Sequence, residues 1–544
     1  MQHPHYDSKS NMHRRHRKYT IAAMISTVTA ACMIAGCTST HYAERADRQV
    51  YGILADKAAD VPGMAAAFRI VSEQEQSLSE FLKERPDLLT NLTLADAVQL
   101  AAAHSRDFQA QREDVYLEAL ALTLERHLWS PRYQGILGAL WAYDDGERTV
   151  SADSDFGLDW ALATGANLGV SLSSDFIRFL SGDPRENAGS LIAMTLRQPL
   201  LRGAGADIAQ EELTQAERNT IYQMRSFVRF RRRLYVDVAT DFYRILQQRD
   251  VIANEKMNLD NLTTARERAE MLFEAGRLQG MQVDQARQDE LRARDRWLRA
   301  QQQYETLIDS FKITVGVPVN QPLTPDRTEL ERLAQLGLTT LTGNPEEAAR
   351  AARQKRLDLM TAADRVNDAQ RKVNVAANNL RPDLDVVLAA ATGTQPETTL
   401  LKFSDEDRRY SAGIEADLPF DRLAERNSYR RALIQYDRQT RNHDLLQDQV
   451  VQQIREDWRR LREARSSYRI QQQSVDLAGQ RVESITMLIE AGRAEMRDLL
   501  EAQEALLQAR NQLTARLVDY RTQLLSLWRD TESLTFSNGE FQGE

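Results

Sequence analysis

Glycine, proline and cysteine are all scarce in this chain of 544 residues, which contains 24 Gly, 13 Pro and 2 Cys. Neither Gly nor Pro occurs within 206–275, 422–478 or 493–538. Because both residues interrupt helices, their absence from stretches rich in Ala, Leu, Glu, Gln and Arg indicates long continuous helices. The first stretch predicts a helix from about Ala204 to Ala275, roughly 105 Å long at 1.5 Å per residue. One compact core cannot hold such a chain, so two or more units are expected.

The apolar run at 21–36, IAAMISTVTAACMIAG, follows the basic stretch HRRHRKYT and is too short for a spanning helix. It closes on a cysteine as IAGC, which resembles a bacterial lipobox. This resemblance predicts a lipoprotein signal peptide at 1–36, with Cys37 as the acylated first residue of the mature chain. The alternative is an ordinary cleavage site beside an unused cysteine. Cys32 leaves with the signal, so no disulfide is expected in the mature monomer.

The mature chain is acidic. The whole sequence has a formal net charge of −9, and removing a signal segment of net charge +4 leaves −13. This charge argues against nucleic acid as a partner. Half of the eight His lie in the signal, and no HExxH, CxxC, GxSxG or Walker A pattern occurs. We therefore expect no metal, no cofactor and no enzymatic activity.

The last part of the chain has a seven-residue apolar repeat. Such a repeat, sustained over about five heptads, implies helices packed in a left-handed supercoil. The repeat comprises two sets of residues: Ile454, Leu461, Tyr468, Val475, Val482 and Ile489, then Leu499, Leu506, Leu513, Tyr520 and Leu527.

A short motif occurs twice. MLFEAGR at Met271–Arg277 returns as MLIEAGR at Met487–Arg493, 216 residues later, with six of seven letters unchanged. Gly276 and Gly492 suit the left-handed position that ends a helix. New helical patterns follow at 281–315 and 494–533, so each motif is predicted to be the turn of a long helical hairpin.

Strand-like alternation occurs where glycine clusters. Apolar residues alternate with small or polar ones in 166–173, 190–197, 384–390 and 411–418, which predicts strands. The segment 133–143 is a less regular candidate with aromatic residues, and the Asp-rich 144–165 reads as an exposed loop or a strand extension. We expect two strand pairs, four strands in all. One aliphatic and one polar face fit an outer-membrane barrel, although a soluble antiparallel sheet alternates in the same way.

Four strands cannot close a barrel, and lipid does not tolerate open edges. The chain is therefore expected to oligomerise. Two copies would give eight strands with a filled lumen, and three would give twelve strands with room for water.

Over about 91–534 the chain resembles the TolC family of outer-membrane efflux and secretion channels. The resemblance lies in QPLLRG (Gln198–Gly203), LPFDRLAERNSYRRA (Leu418–Ala432) and AGRAEMRDLLEAQEALLQARNQL (Ala491–Leu513). It implies a mainly α fold with a membrane β-barrel portion, assembled as a homotrimer with a twelve-stranded barrel and a twelve-helix tunnel. An equatorial belt would include parts of 318–345 and both termini. The implied division is a lipid-anchored extension at 37–90 and two structural repeats, 91–345 and 346–544.

The resemblance also implies functional residues at the hairpin tips. The family places inward-facing acids six and nine residues after the second tip glycine, which are Asp498 and Glu501 here. Three copies of each would form an acidic gate that attracts cations. The alternative is that acids in a first helical turn merely suit the helix dipole. The family latch is not carried over, because its positions hold Gln282, Ile489 and Ala494.

Arg277 and Arg493 follow the two turns. With Gly276 and Gly492 they are candidates for tip closure or for adaptor docking, or they are cations that suit a helix C-terminus.

The function implied is a passive, gated exit duct for small molecules such as drugs, the outer-membrane component of a tripartite efflux pump. Its expected partners are a periplasmic adaptor, an inner-membrane pump and the outer-membrane lipid of a Gram-negative bacterium. Type I protein secretion uses the same kind of tube and remains an alternative. A lipid-anchored coiled-coil tether is a third reading, against which the alternating strands count.

Overall fold

The computed structural model describes residues 39–70, 78, 85, 87–181, 186–338, 343–394, 403, 407–491, 493–537 and 539–543. The helices are α1 Ser39–Ala58, α2 Leu94–His104, α3 Arg106–Leu128, α4 Ala206–Ala209, α5 Glu211–Glu274, α6 Gly280–Val315, α7 Thr328–Leu336, α8 Pro345–Lys355, α9 Leu357–Asn378, α10 Leu423–Glu490 and α11 Met496–Asp530. The strands are β1 Arg132–Asp144, β2 Glu147–Ala161, β3 Asn167–Phe179, β4 Glu186–Pro199, β5 Asp383–Gly393, β6 Arg409–Asp417, β7 Leu534–Ser537 and β8 Glu540–Gly543.

The two predicted helical hairpins are present. Helix α5 has 64 residues and α10 has 68, so each is on the order of 100 Å long. The returning helices α6 and α11 have 36 and 35 residues and pack against α5 and α10, respectively. The predicted combination of long helical hairpins with a strand portion is therefore confirmed.

Each long helix packs against several shorter helices, and α11 of the second hairpin also contacts α5 of the first. Helix α6 packs on the end of α5 next to the hairpin turn, while α3 packs on α5 on the side of the strands. Helix α10 is covered in the same way by α11 and α9. At Gly316, which ends α6 in a left-handed conformation, an added Cβ would collide with the carbonyl oxygen of His104 at the end of α2. The ends of these two shorter helices therefore meet beside α5.

The sheet differs from the prediction in its number of strands. Six strands, not four, form one antiparallel sheet in the order β1-β2-β3-β4-β5-β6. The Asp-rich segment 144–165 contains a complete strand, β2, which pairs with β1 through a two-residue turn at Asp145 and Gly146. The aspartates of this segment suggest a loop. They share one face of β2, however, while apolar residues lie mainly on the other, so they fit a strand with one face toward water.

The main hydrophobic core lies partway along the long helices. It joins residues of α1 to α3, the middle of α5, the end of α6, the segment 317–333 and the β7–β8 hairpin. Phe242 of α5 and Phe311 of α6 are fully buried at its centre, with their ring centroids 6.2 Å apart. The extension before residue 90 is attached to this core: α1 packs on α3, and the hydroxyl of Tyr116 donates to Asp47 over 2.6 Å.

Candidate functional site

One face of the six-stranded sheet is apolar across all six strands. Residues opposite each other in an antiparallel ladder lie on the same face, and the register puts Tyr133 opposite Leu158, Leu158 opposite Val170 and Val170 opposite Met194. Many of these side chains are exposed, for example Tyr133 at 81% and Ile414 at 74%. An exposed apolar surface of this extent is an interaction surface, and strands of 9 to 15 residues are long enough to cross a hydrocarbon layer.

The other face is mostly polar and carries charge. It includes Asp153, Asp155 and Asp159 of β2, serines and threonine of the middle strands, and acids of β5 and β6. The guanidinium Nε of Arg197 lies 2.9 Å from Oδ2 of Asp385, and the same group pairs with Glu415. Apolar exceptions on this face include Ile136 and Leu140 of β1, Ile177 of β3 and Leu191 of β4. An apolar face backed by a charged face is what a wall between lipid and water requires.

The two hairpin tips close with the same hydrogen bond. The backbone N–H of Arg277 donates to the carbonyl of Leu272, and that of Arg493 donates to the carbonyl of Leu488, each over 2.8 Å. Gly276 is left-handed, with φ of +69°. This N–H, bonded five residues back, is the pattern of a Schellman C-cap. Gly492 lies outside the described residues, and the two turns are equivalent in the hydrogen bonds of Arg277 and Arg493.

Asp498 and Glu501 lie in the first turns of α11, on the returning side of the second tip. Asp498 forms a capping box with Glu495, whose backbone N–H donates to Oδ2 of Asp498 over 3.2 Å. Glu501 accepts from Arg481 of α10 over 2.9 Å, and its side chain is two-thirds exposed. Asp498 thus stabilises the start of its own helix.

A buried polar network joins α5 to α9, and sequence reasoning missed it. Asp368 is 5% exposed, and its carboxylate accepts hydrogen bonds from Tyr222 at 2.6 Å and from Arg218 and Arg371 at 2.9 Å. Burial is the main cause that raises the pKa of Tyr222, and the hydrogen bond to Asp368 raises this pKa further. The phenol therefore stays protonated and donates. The network therefore holds α9, which precedes β5 in the chain, against α5, which follows β4.

A pair of buried acids lies between α10 and α11. Asp457 and Asp530 are both nearly inaccessible, and Oδ2 of Asp457 has no hydrogen-bond partner among the described residues. Asp530 is held by Arg529 and Gln453. Burial, with the neighbouring Asp530 as the next cause, raises the pKa of Asp457 to about 6. The acid on α10 therefore changes its charge in the weakly acidic range.

The described residues include neither a membrane-spanning helix nor a cluster of metal ligands. No helix there combines the length and apolar character needed to cross a membrane. No group of three or more His, Cys, Asp or Glu side chains in the same part of the chain is placed to hold a metal ion. Cys37, the predicted lipid attachment residue, lies outside it.

The sequence matches a family model at residues 348–529, that of the outer membrane efflux protein. No curated protein sequence matches the chain. Among solved structures, the outer-membrane channel OprN aligns with a TM-score of 0.60 at 12% identity, covering 82% of this chain and 91% of its own. The Campylobacter jejuni outer membrane channel CmeC gives 0.59 at 13% identity, covering 82% and 87%.

The open state of the Neisseria gonorrhoeae outer membrane channel MtrE gives a TM-score of 0.58 at 12% identity, covering 80% of this chain and 88% of its own. The chain therefore has the fold of outer-membrane channels over most of its length. The resemblance to the TolC family predicted from the sequence is confirmed. The proteins and the family that it matches are channels, not enzymes.

Proposed function

We propose that this protein is the outer-membrane component of a tripartite efflux pump, a passive duct through which small molecules such as drugs leave the cell. The observation that carries the proposal is the six-stranded sheet, apolar on one face and charged on the other, from which two helical hairpins on the order of 100 Å extend. The match of 348–529 to outer membrane efflux proteins supports efflux over type I secretion.

The sheet also supports assembly into a homotrimer. Among the described residues, β1 and β6 each have one unpaired edge, and unpaired backbone groups are not stable in lipid. Neighbouring copies supply the missing partners, so the barrel wall exists only in the oligomer. A tether for the cell envelope needs no such wall, and the apolar face of the sheet would be a liability for it.

In the assembled duct the hairpin tips form the periplasmic end. Three copies of Asp498 and Glu501 would gather about six carboxylates there and favour cations. Gly276, Arg277, Gly492 and Arg493, at the two turns, would meet the periplasmic adaptor, which connects the duct to the inner-membrane pump. Acylation of Cys37 would hold the mature chain to the outer membrane through the extension that contains α1.

Planar-bilayer conductance of the purified full chain, with the oligomeric mass measured on the same sample, tests this function. The expected result is a trimer with small, cation-preferring currents. The double variant Asp498→Ala, Glu501→Ala is expected to raise the conductance and to reduce the preference for cations. A matched control is Asp476→Ala, which removes an exposed acid of α10 about 20 Å before the second tip and leaves both properties unchanged.

A monomer without current would exclude the duct. A conducting trimer in which the double variant behaves like Asp476→Ala would retain the duct and reject the acidic gate. In that case Asp498 serves only as the N3 residue of the capping box at the start of α11.

A further inference from the structure

The β1–β2 hairpin is a full member of the sheet. Strands β1 and β2 pair over 13 consecutive positions, and β2 and β3 pair over 13 more. The ladder between β5 and β6 has only 9 positions. The hairpin is thus held more extensively than the strands on the opposite side of the sheet, and it is not a loosely attached loop.

The two faces of the sheet continue through this hairpin. On the apolar face, Phe156 of β2 lies opposite both Gly135 of β1 and Leu172 of β3. On the polar face, Asp153 lies opposite Asp175 of β3 and Gly138 of β1. If β1 and β2 were folded back over the outside of a barrel, their apolar and charged faces would not need to match those of β3 to β6.

Packing on the polar face shows that β1 and β2 are fitted to each other. The carboxylate of Asp153 lies directly over Gly138, where an added Cβ would collide with both of its oxygens. Gln134 covers Gly157 in the same way on the same face. Glycine opposite a long polar side chain makes room for it beside the neighbouring strand.

In the part of the chain that the structure describes, the free edges of the sheet are the outer edges of β1 and β6. Every residue of β6 is exposed and so are nearly all residues of β1, whereas the inner strand β3 is about half covered. Since β1 and β6 belong to a sheet with an even number of strands, they run in opposite directions. The β1 strand of one copy can therefore pair with β6 of the next in the antiparallel manner required of an outer-membrane barrel.

We propose that each protomer contributes three hairpins, and that β1 of one copy pairs with β6 of the next to close an eighteen-stranded barrel in the trimer. This inference rests on the proposed function and changes its geometry. Barrel diameter grows about linearly with strand number, so this exit would be roughly 1.5 times as wide as a twelve-stranded one. Barrels of 16 to 18 strands leave an open aqueous channel, and three sets of Asp153, Asp155 and Asp159 would line it.

Disulfide crosslinking between protomers tests the seam. Ala412 of β6 faces the apolar side, so we would combine Ala412→Cys in turn with Leu137→Cys, Ala139→Cys and Trp141→Cys, which lie on the same side of β1. Opposite residues of paired strands come within the Cα separation that a disulfide allows. The matched control is Ala412→Cys with Val170→Cys on β3, the strand that would form the seam if the β1–β2 hairpin lay outside the barrel.

The full chain is oxidised mildly in outer membranes. At least one of the three pairs that combine Ala412→Cys with a cysteine on β1 is expected to give covalent dimers and trimers. The pair of Ala412→Cys and Val170→Cys is expected to give none. Strand counting in the purified trimer by electron cryomicroscopy is the second measurement, with eighteen strands expected. Crosslinks through Val170→Cys, twelve strands, or no β1–β6 crosslink in an intact trimer would overturn the inference. Trimer mass and conductance are measured separately, so a conducting trimer with twelve strands rejects this inference and leaves the proposed function standing.

Discussion

The hydroxyl of Tyr222 donates a hydrogen bond of 2.6 Å to Oδ2 of Asp368, which lies 146 residues later in the chain. The same carboxylate accepts from Arg218 and Arg371 through its other oxygen. Since Tyr222 belongs to α5 and Asp368 to α9, one buried acid holds together the helices on either side of the β4–β5 pair. The two predicted structural repeats therefore share a polar joint next to the sheet.

Removing this joint is expected to lower stability in a graded way. Tyr222→Phe loses one hydrogen bond to a charged group, which costs about 1.5–3 kcal/mol. Asp368→Ala removes the acceptor shared by Tyr222, Arg218 and Arg371 and is expected to cost more, although Arg371 keeps Glu211 and Arg218 keeps Asp364 as partners. Thermal unfolding of the detergent-solubilised protein measures the order of the two effects. Tyr436→Phe is the control, because its hydroxyl makes no hydrogen bond among the described residues; an equal loss in all three variants would contradict the assignment.

The Asp457–Asp530 pair predicts a pH dependence of stability. The folded protein raises the pKa of Asp457 to about 6 from a usual value of 3.8. This acid therefore favours the folded state below its unfolded pKa, and that contribution is lost as the pH rises through about 6. Asp457→Asn is expected to stabilise the protein by about 1–3 kcal/mol at pH 7 and to change little near pH 4.

Unfolding midpoints at the two pH values measure this difference. Asp476→Asn removes an exposed acid of the same helix and should shift neither midpoint. A stabilisation by Asp457→Asn that is the same at both pH values would show that ionisation is not its cause.

Two glycines near the first tip are expected to respond in opposite directions to the same substitution. Gly276 has φ of +69°, so Gly276→Ala strains the backbone by about 1–2 kcal/mol. Gly280 begins α6, and a Cβ there would meet Phe273 at an ordinary 3.5 Å, so Gly280→Ala should stabilise by about 0.4–1 kcal/mol. Hydrogen exchange of the amides around 271–282 measures both effects. Faster hydrogen exchange in both variants would show that the backbone conformation of the turn does not control the opening of the hydrogen bonds around 271–282.

Acylation and membrane insertion can be separated at Cys37. With an ordinary cleavable signal in place of 1–36 and Cys37→Ser, the chain should lose labelling by palmitate. It should still remain in the outer-membrane fraction after a carbonate wash, because the apolar face of the sheet holds it there. The chain with its own signal is the control. Release of the variant as a soluble protein would favour the tether.

The sequence predicted those features that depend on local or periodic signals. Absence of Gly and Pro from 206–275 led to α5, and the duplicated motif located both tips, since helix continuity and C-caps are encoded within a few residues. The strand β2 was missed because Asp153, Asp155 and Asp159 also favour loops. Only pairing with β1 and β3 distinguishes the two readings.

The polar joint and the acid pair were not predictable, for a related reason. Asp368 is one of many aspartates on amphipathic helices, and nothing near it in sequence reveals Tyr222 as its partner. The same holds for Asp457, whose raised pKa depends on burial and on Asp530, 73 residues away. Contacts between distant helices leave no periodic signature in either helix.

The unequal lengths of the helices have a mechanical consequence. Helices α5 and α10 run without a break, whereas the shorter helices α6 and α2 end beside α5, where Gly316 meets His104. Two uninterrupted helices therefore connect the strands to the hairpin turns, while the helices packed beside them are shorter. A force applied at the hairpin tips is therefore transmitted to the sheet along two helices without crossing a break in the backbone hydrogen bonding.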